Sequence, residues 1–212
     1  YMERQPELCR IAAHNFKTLG LAQAEIRETD SSLSPDEWPD AACCFVDPAR
    51  RDTVGRKTVA IEDCEPDLSI LQEAIRRKAA FSLIKLSPML DIRTALRTLA
   101  HVAEVHAVSV QGECKELLLV MTRQKTEKTA CHCVNLGTED PTFTFTLTEE
   151  EEAACTYSDT PGRFLYEPNA SVMKCGGFRS LATRYGLRKL HPNSHLYTSD
   201  HSCKDFPGRT FA

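Results

Sequence analysis

Three acidic residues, Glu3, Asp30 and Asp47, each close a run that reads as a β-strand. In an open parallel sheet the ligand crevice lies beyond the carboxyl ends of the strands, so these acids are expected along one rim. A carboxylate accepts two hydrogen bonds at once, which suits the paired hydroxyls of a ribose, and Glu3 is the candidate for that role. Asp30, one strand later, is placed to accept from an adenine amino group. An acid at a strand end also commonly caps a following helix, so each of the three has a structural reading beside the chemical one.

The sharper signal is Asp47-Pro48-Ala49-Arg50-Arg51, directly after the apolar run 42–46. Proline ends the strand, removes a backbone donor and fixes the turn, which leaves the Asp47 side chain and nearby carbonyls free to hold a flat polar group. Arg50 and Arg51 can grip phosphate. Lys85, near the end of the run 81–86, is either an electrostatic partner of that site or an ammonium reaching solvent. Cys131-His132-Cys133 has ligand types for zinc, but structural zinc sites use two spaced pairs, and His195, His201 and Cys203 follow at irregular spacing. No metal is expected.

The elements that must position these groups alternate between helix and strand. Pro6 opens a helix with Leu8, Ile11, Ala12 and Phe16 on one face, and a short strand follows over 24–29. The run 42–46 is continuously apolar, as in strands covered on both faces, and Cys43 and Cys44 read as small core residues. Leu68, Leu71, Ile75 and Ala79 predict a helix, 81–86 a buried strand, and Ile92, Ala95, Leu96 and Leu99 a further helix. Runs 105–110 and 117–121, joined through Gly112, predict a hairpin with one antiparallel strand. The fold class is therefore α/β, a partial Rossmann-like sheet, mostly parallel with an antiparallel closing hairpin. Residues 1–123 form that domain, and 124–161 a linker with two exposed-looking strands, decoration rather than core. Thr148 is expected to cap a short acidic helix, with Glu151 as its capping-box partner. Residues 162–212 form a small α+β unit with a strand through 164–166, a helix over about 169–185 and a strand near 196–198.

Hydrophobic residues are 42% and charged residues 26% of the 212, which excludes disorder as the default, and no apolar run approaches a membrane span. The chain opens on charged sequence without a leader, so the expected location is cytoplasmic. In a chain able to bury a core, the ten cysteines are expected as free thiols. From Gly162 onward 8 Lys/Arg face 3 Asp/Glu, a net of +5, whereas the preceding part carries 18 against 27, or −9. A basic end on an acidic body points to a polyanion, and Arg179, Arg184, Arg188 and Lys189, near Tyr185 and Tyr197, form the expected RNA surface. A solvated helix face accounts for the same residues.

Asp-Pro-Ala-Arg-Arg resembles the Asp/Asn-Pro-Pro-aromatic motif of class I methyltransferases that modify bases or amides. Taken with Tyr-Met-Glu-Arg-Gln-Pro-Glu-Leu-Cys at the start, Lys-Leu-Ser-Pro-Met-Leu-Asp (85–91), Glu-Cys-Lys-Glu-Leu-Leu (113–118), Leu-Tyr-Glu-Pro-Asn-Ala-Ser (165–171) and Asn-Ser-His-Leu-Tyr-Thr-Ser (193–199), the chain is similar to a bacterial family. Its members join a class I S-adenosylmethionine-dependent methyltransferase domain to ferredoxin-like and THUMP-like modules. The resemblance implies an S-adenosyl-L-methionine site with Glu3 on the ribose and Asp30 and Ser31 at the adenine, Asp47 and Pro48 at the reaction centre with Lys85, and a ferredoxin-like unit over 162–212. It also implies that the first strand with its glycine-rich loop and the THUMP-like part lie outside this sequence, so that the piece alone binds cofactor poorly. Ala49 and Arg50 stand where amino-methylating enzymes often carry a second proline and an aromatic. The motif is also similar to the Asp-Pro-Pro-Arg of enzymes methylating uridine carbon 5, but Lys85-Leu86-Ser87-Pro88 lacks the cysteine that covalent route needs. The expected function is an RNA methyltransferase acting on an rRNA or tRNA base. The alternatives are a non-catalytic RNA-binding protein that kept the fold, or a methyltransferase acting on protein or a small molecule.

Overall fold

The structure, a computed structural model, describes residues 1–50, 61–62, 64–139 and 142–212, with Arg50 described by its backbone. Strand β1 (Met2–Glu3) leads into helix α1 (Pro6–Thr18), where Pro6 occupies the first turn and loses no bond, and β2 (Arg27–Glu28) returns parallel to β1. The Tyr1 and Phe16 rings meet edge to face at 6.1 Å and hold α1 against this pair.

After β3 (Ala41–Val46) the chain makes a small ribbon from β4 (Ala49–Arg50) and β5 (Cys64–Glu65). Helix α2 (Leu68–Lys78) and β6 (Ala79–Leu86) follow, then α3 (Ile92–Thr98), β7 (Val102–Val110) and β8 (Glu113–Thr122). Asp67 and Asp91 start the two helices by accepting from Ser69 N and Thr94 N, at 2.9 and 2.7 Å. Strands β9 (Ala130–Leu136) and β10 (Phe143–Thr146) extend the same sheet, whose order is β10-β9-β7-β8-β6-β3. Strands β3, β6, β7 and β9 run one way, while β8 and β10 run against them. The sheet is thus mixed, with parallel pairs β3–β6 and β7–β9 joined through antiparallel β8, and the expected hairpin is the β7–β8 pair, turned by Gln111 (φ 52°) and Gly112 (φ 79°) in the left-handed region that such tight turns require.

Two expectations about burial are corrected. Cys43 is exposed and Cys44 half-buried, because β3 is an edge strand of this sheet among the described residues: Cys44 and Val46 pack against the core, while the face that carries Cys43 and Phe45 is left open. Conversely, the strands expected as exposed decoration are core: Cys131, Cys133, Phe143 and Phe145 are buried, since every second residue of β9 and β10 faces the same interior as Val105, Ala107, Leu117 and Leu119.

The chain then forms α4 (Leu147–Glu152), β11 (Thr156–Tyr157), β12 (Phe164–Pro168), α5 (Ala170–Cys175), α6 (Phe178–Tyr185), β13 (Arg188–Lys189), β14 (Tyr197–Ser199) and β15 (Gly208–Phe211). Its sheet has the order β11-β13-β14-β12-β15. Helix α5 lies on β7, β8 and β9, so Tyr166, Val172, Cys175, Leu181 and Tyr197 share one hydrophobic cluster with the larger sheet. The single helix expected over about 169–185 is broken. Gly176 (φ 74°) ends α5, and at Gly177 a Cβ would stand 2.4 Å from the Phe145 ring, so only glycine lets the two elements close on each other.

The capping box also sits two residues earlier than expected. Thr146 accepts from Glu149 N at 3.1 Å, and Glu149 from Thr146 N at 2.6 Å, because β10 pairs as far as Thr146 and the helix starts where that pairing ends. Glu150 turns inward instead. Its buried carboxylate accepts from Arg179 N and Ser180 N at 2.8 Å, supplying the cap that Gly177 cannot give α6. Glu150→Ala should lower unfolding stability by about 2–3 kcal/mol in urea titrations. The exposed neighbour change Glu151→Ala should leave it within about 0.5 kcal/mol.

Candidate functional site

Val46 of β3 is in register with Ile84 of the parallel strand β6, so the next residues on each strand, Asp47 and Lys85, emerge side by side at the carboxyl ends. Lys85 Nζ donates to Asp47 Oδ2 at 2.8 Å. The hydrogen bond to Asp47 and its charge raise the Lys85 pKa, with Glu116 adding to the effect. Lys85 is thereby held as an ammonium at neutral pH, an electrostatic group and not a general base. Glu116 arrives from β8, whose antiparallel pairing with β6 sets Leu117 opposite Leu86. Together with Pro48, Cys64 and Ser87, these residues line a cavity of about 200 Å³. Asp47 is half-exposed there, open to a ligand.

The expectation of three acids along one rim of one sheet is corrected: β1 and β2 pair only with each other and not with β3, so Glu3 and Asp30 form a cluster separate from Asp47. Glu3 accepts from Gln5 N at 2.8 Å through Oε1, and Tyr1 OH stands 3.5 Å from Oε2. Asp30 accepts from both Ser32 N and Ser32 Oγ, at 2.9 and 2.6 Å, and these bonds hold its carboxyl below the usual range. Each thus has its turn-forming role, although neither set of bonds exhausts the roughly four acceptor positions of a carboxylate. The Ser31 carbonyl is occupied by Trp38 Nε1 at 3.0 Å. Arg4 lies in the field of both acids and makes a two-pronged pair with Glu65 at 2.6 and 3.0 Å. Glu65 belongs to β5, whose partner β4 directly follows Asp47 and Pro48, so the β4–β5 ribbon connects the two acidic groups. Neither Glu3 nor Asp30 lines the Asp47 cavity.

A larger concavity, about 410 Å³, lies between α1 and residues 20–26 and presents one charged group, Lys17. It brings no candidate acid together.

Of the expected RNA-contacting residues, Arg51 and the Arg50 side chain lie outside the described residues. Arg179 is exposed. Arg184 donates to the Thr144 carbonyl at 2.6 Å over the Phe143 ring, and Arg188 pairs with Asp200 at 3.1 Å. Lys189 is corrected outright: it is buried, donates to the Pro192 carbonyl at 3.0 Å and faces the Phe178 ring, because its strand turns that side chain inward. Glu116 and the Arg4–Glu65 pair were not legible as site residues. Each depends on pairing with a distant strand, and neither sits in a motif.

Cys131 and Cys133 point into the core beside Cys175, where the hydrogen bond with Cys175 and burial push the Cys131 thiol far up; at Cys175 the bond with Cys131 lowers the pKa, but the bond with Cys133 and burial outweigh it and leave that thiol raised, and His132 points the opposite way. The three consecutive residues therefore cannot share one metal. All ten cysteines are free thiols.

Comparison with known proteins follows the same division of the chain. Residues 164–207 match a ferredoxin-like domain family. This ferredoxin-like domain spans the region from β12 to just before β15. Among solved structures the chain is similar to a candidate methyltransferase from Porphyromonas gingivalis W83, at 40% identity and a TM-score of 0.84 over 100% of this chain and 54% of that one. The chain thus spans about half the length of that protein. No curated protein matches. The fold is mixed α/β, with a ferredoxin-like domain docked on the larger sheet.

The Asp47–Lys85 contact has a measurable signature. Because its folded pKa is raised, Lys85 adds stability that is fully present below its unfolded value of about 10.4 and is lost as pH rises through the folded value. Asp47→Asn should lower the Lys85 pKa in an NMR titration. It should cost no more than about 1 kcal/mol at pH 7, since the pair is half-exposed. An unchanged Lys85 titration would show that the contact does not form in solution.

Proposed function

We propose that this chain is part of an S-adenosyl-L-methionine-dependent methyltransferase that acts on RNA. The observation that carries the proposal is the Asp47–Lys85 pair, set at the carboxyl ends of two parallel strands beside Pro48 and a small cavity. The 40% identity to a candidate methyltransferase supports the same class of reaction.

The donor set present fits the cofactor. Glu3 retains acceptor capacity at Oε2 for ribose hydroxyls, and Asp30, kept ionised by its own turn, retains capacity for an amino group. Glu3, Asp30 and Ser31 would hold the adenosine part. When bound, S-adenosyl-L-methionine supplies an electrophilic methyl group. Transfer to a well-placed nucleophile needs little acid–base chemistry, so the work of this chain is positioning. Asp47 accepts a hydrogen bond from the target base and fixes its orientation. Lys85, held as a cation, aims the Asp47 carboxylate, while Pro48 fixes the turn that presents it. Glu116 across the cavity adds negative potential, which favours a target that donates protons over an anionic one.

RNA as the substrate is supported by the +5 charge from Gly162 onward and by exposed Arg179, with Arg184 and Arg188 keeping guanidinium donors beyond those in use. Calorimetry of the full-length protein with S-adenosyl-L-methionine should give saturable binding, and Glu3→Gln should weaken it roughly tenfold or more. No heat of binding from the intact protein would contradict the proposal and favour an RNA-binding protein without catalysis.

A further inference from the structure

Strands β7 and β9 are parallel neighbours, and their register puts His106 directly opposite His132. Their inward residues, Val105, Ala107, Cys131 and Cys133, are buried, so both histidines stand on the outer face of the sheet. The two imidazoles are stacked, with centroids 4.5 Å apart and planes 16° apart. Glu104, two residues before His106 and hence on the same face, brings Oε2 to 2.8 Å from His106 Nε2 and 4.0 Å from His132 Nε2. Ligand atoms from all three residues lie within 4.8 Å of one another, the one such group among the described residues.

We infer that Glu104, His106 and His132 form a zinc site. Two imidazole nitrogens and one carboxylate oxygen are a ligand set that zinc takes, with a fourth position left open. At bond lengths of about 2.0–2.2 Å, the ligand atoms of a tetrahedral ion lie roughly 3.3–3.5 Å apart, and the two observed separations bracket that range. The rings are stacked nearly parallel, so one imidazole must turn out of the stack for both ring nitrogens to face one ion, a change that side-chain rotation supplies. All three sit on sheet strands and not on loops, so little ordering is required. The outer shell is also present: the Nδ1 of His132 lies 3.2 Å from the Thr144 hydroxyl on β10, which fixes the ring and leaves Nε2 for the metal. An ion there ties β7 to β9, and through Thr144 to β10, at the point where the sheet passes from residues 102–110 into 130–146. Its role is a staple, independent of the Asp47 cavity and of the methyltransferase reading.

The test is titration of the reduced full-length protein with Zn²⁺ against a chromophoric chelator, with thermal melting in parallel. One site should appear, with a higher melting temperature when it is filled, and His106→Ala or His132→Ala should weaken it by about tenfold or more. Glu104→Gln should weaken it less, and Co²⁺ in place of Zn²⁺ should show no thiolate charge-transfer band. Unchanged affinity in both histidine variants, or a thiolate band, would overturn the site by putting the metal on cysteine. Should a variant fail to fold, the ring-nitrogen resonances of His106 and His132 in the unaltered protein decide: shifts on adding Zn²⁺ support the site, and their absence refutes it.

Discussion

Strand β6 is hydrogen-bonded along both edges, in parallel to β3 and antiparallel to β8, and the candidate site depends on that double pairing. The parallel edge makes Asp47 and Lys85 neighbours. The antiparallel edge delivers Glu116 from the first half of a strand that starts at the same rim and runs away from it. Side chains alternate between faces, so a one-residue slip of β3 against β6 would turn Asp47 away from Lys85. Ser82, Ile84 and Leu86, all buried on the inner face, fix the register of β6. The hydrophobic pattern of the sheet thereby sets the electrostatics at its end.

The ferredoxin-like domain contributes to the same arrangement by mass and not by chemistry. Helix α5 covers β7, β8 and β9, and Lys174 on it donates to the Leu90 carbonyl at 2.5 Å, in the loop that leaves β6 beside the cavity. Glu150 ties the domain back to the acidic helix α4, and Gly177 lets it close on Phe145. These contacts join two sheets through one core, which makes the larger sheet rigid where its strands end.

The parts of this architecture written in local pattern were legible in the chain itself. Alternating helix and strand, the Gly112 hairpin and the proline after Asp47 follow from neighbouring residues, and the contact between Asp47 and Lys85 follows from their places at the ends of two such strands. What escaped was fixed by partners far away. Thr146 and Thr148 each have glutamate three residues on, and only the end of the β9–β10 pairing selects the first. Lys189 sits in a basic run, yet its strand turns it into the interior. Cys43 and Cys44 sit in a run as apolar as any buried strand, yet on this edge strand only the face of Cys44 meets the core and Cys43 is left exposed. His132 looked like part of a cysteine motif, whereas the pleat separates it from both cysteines and gives it to His106.

We propose that Asp47 orients an RNA base for methyl transfer. It is tested most directly by transfer of labelled methyl groups from S-adenosyl-L-methionine into RNA from cells lacking the gene, using full-length protein and its Asp47→Asn variant. Transfer into RNA by the intact protein, reduced about a hundredfold in the variant while cofactor affinity holds, is the predicted result. Equal transfer by both forms, or label found only in protein, would contradict it.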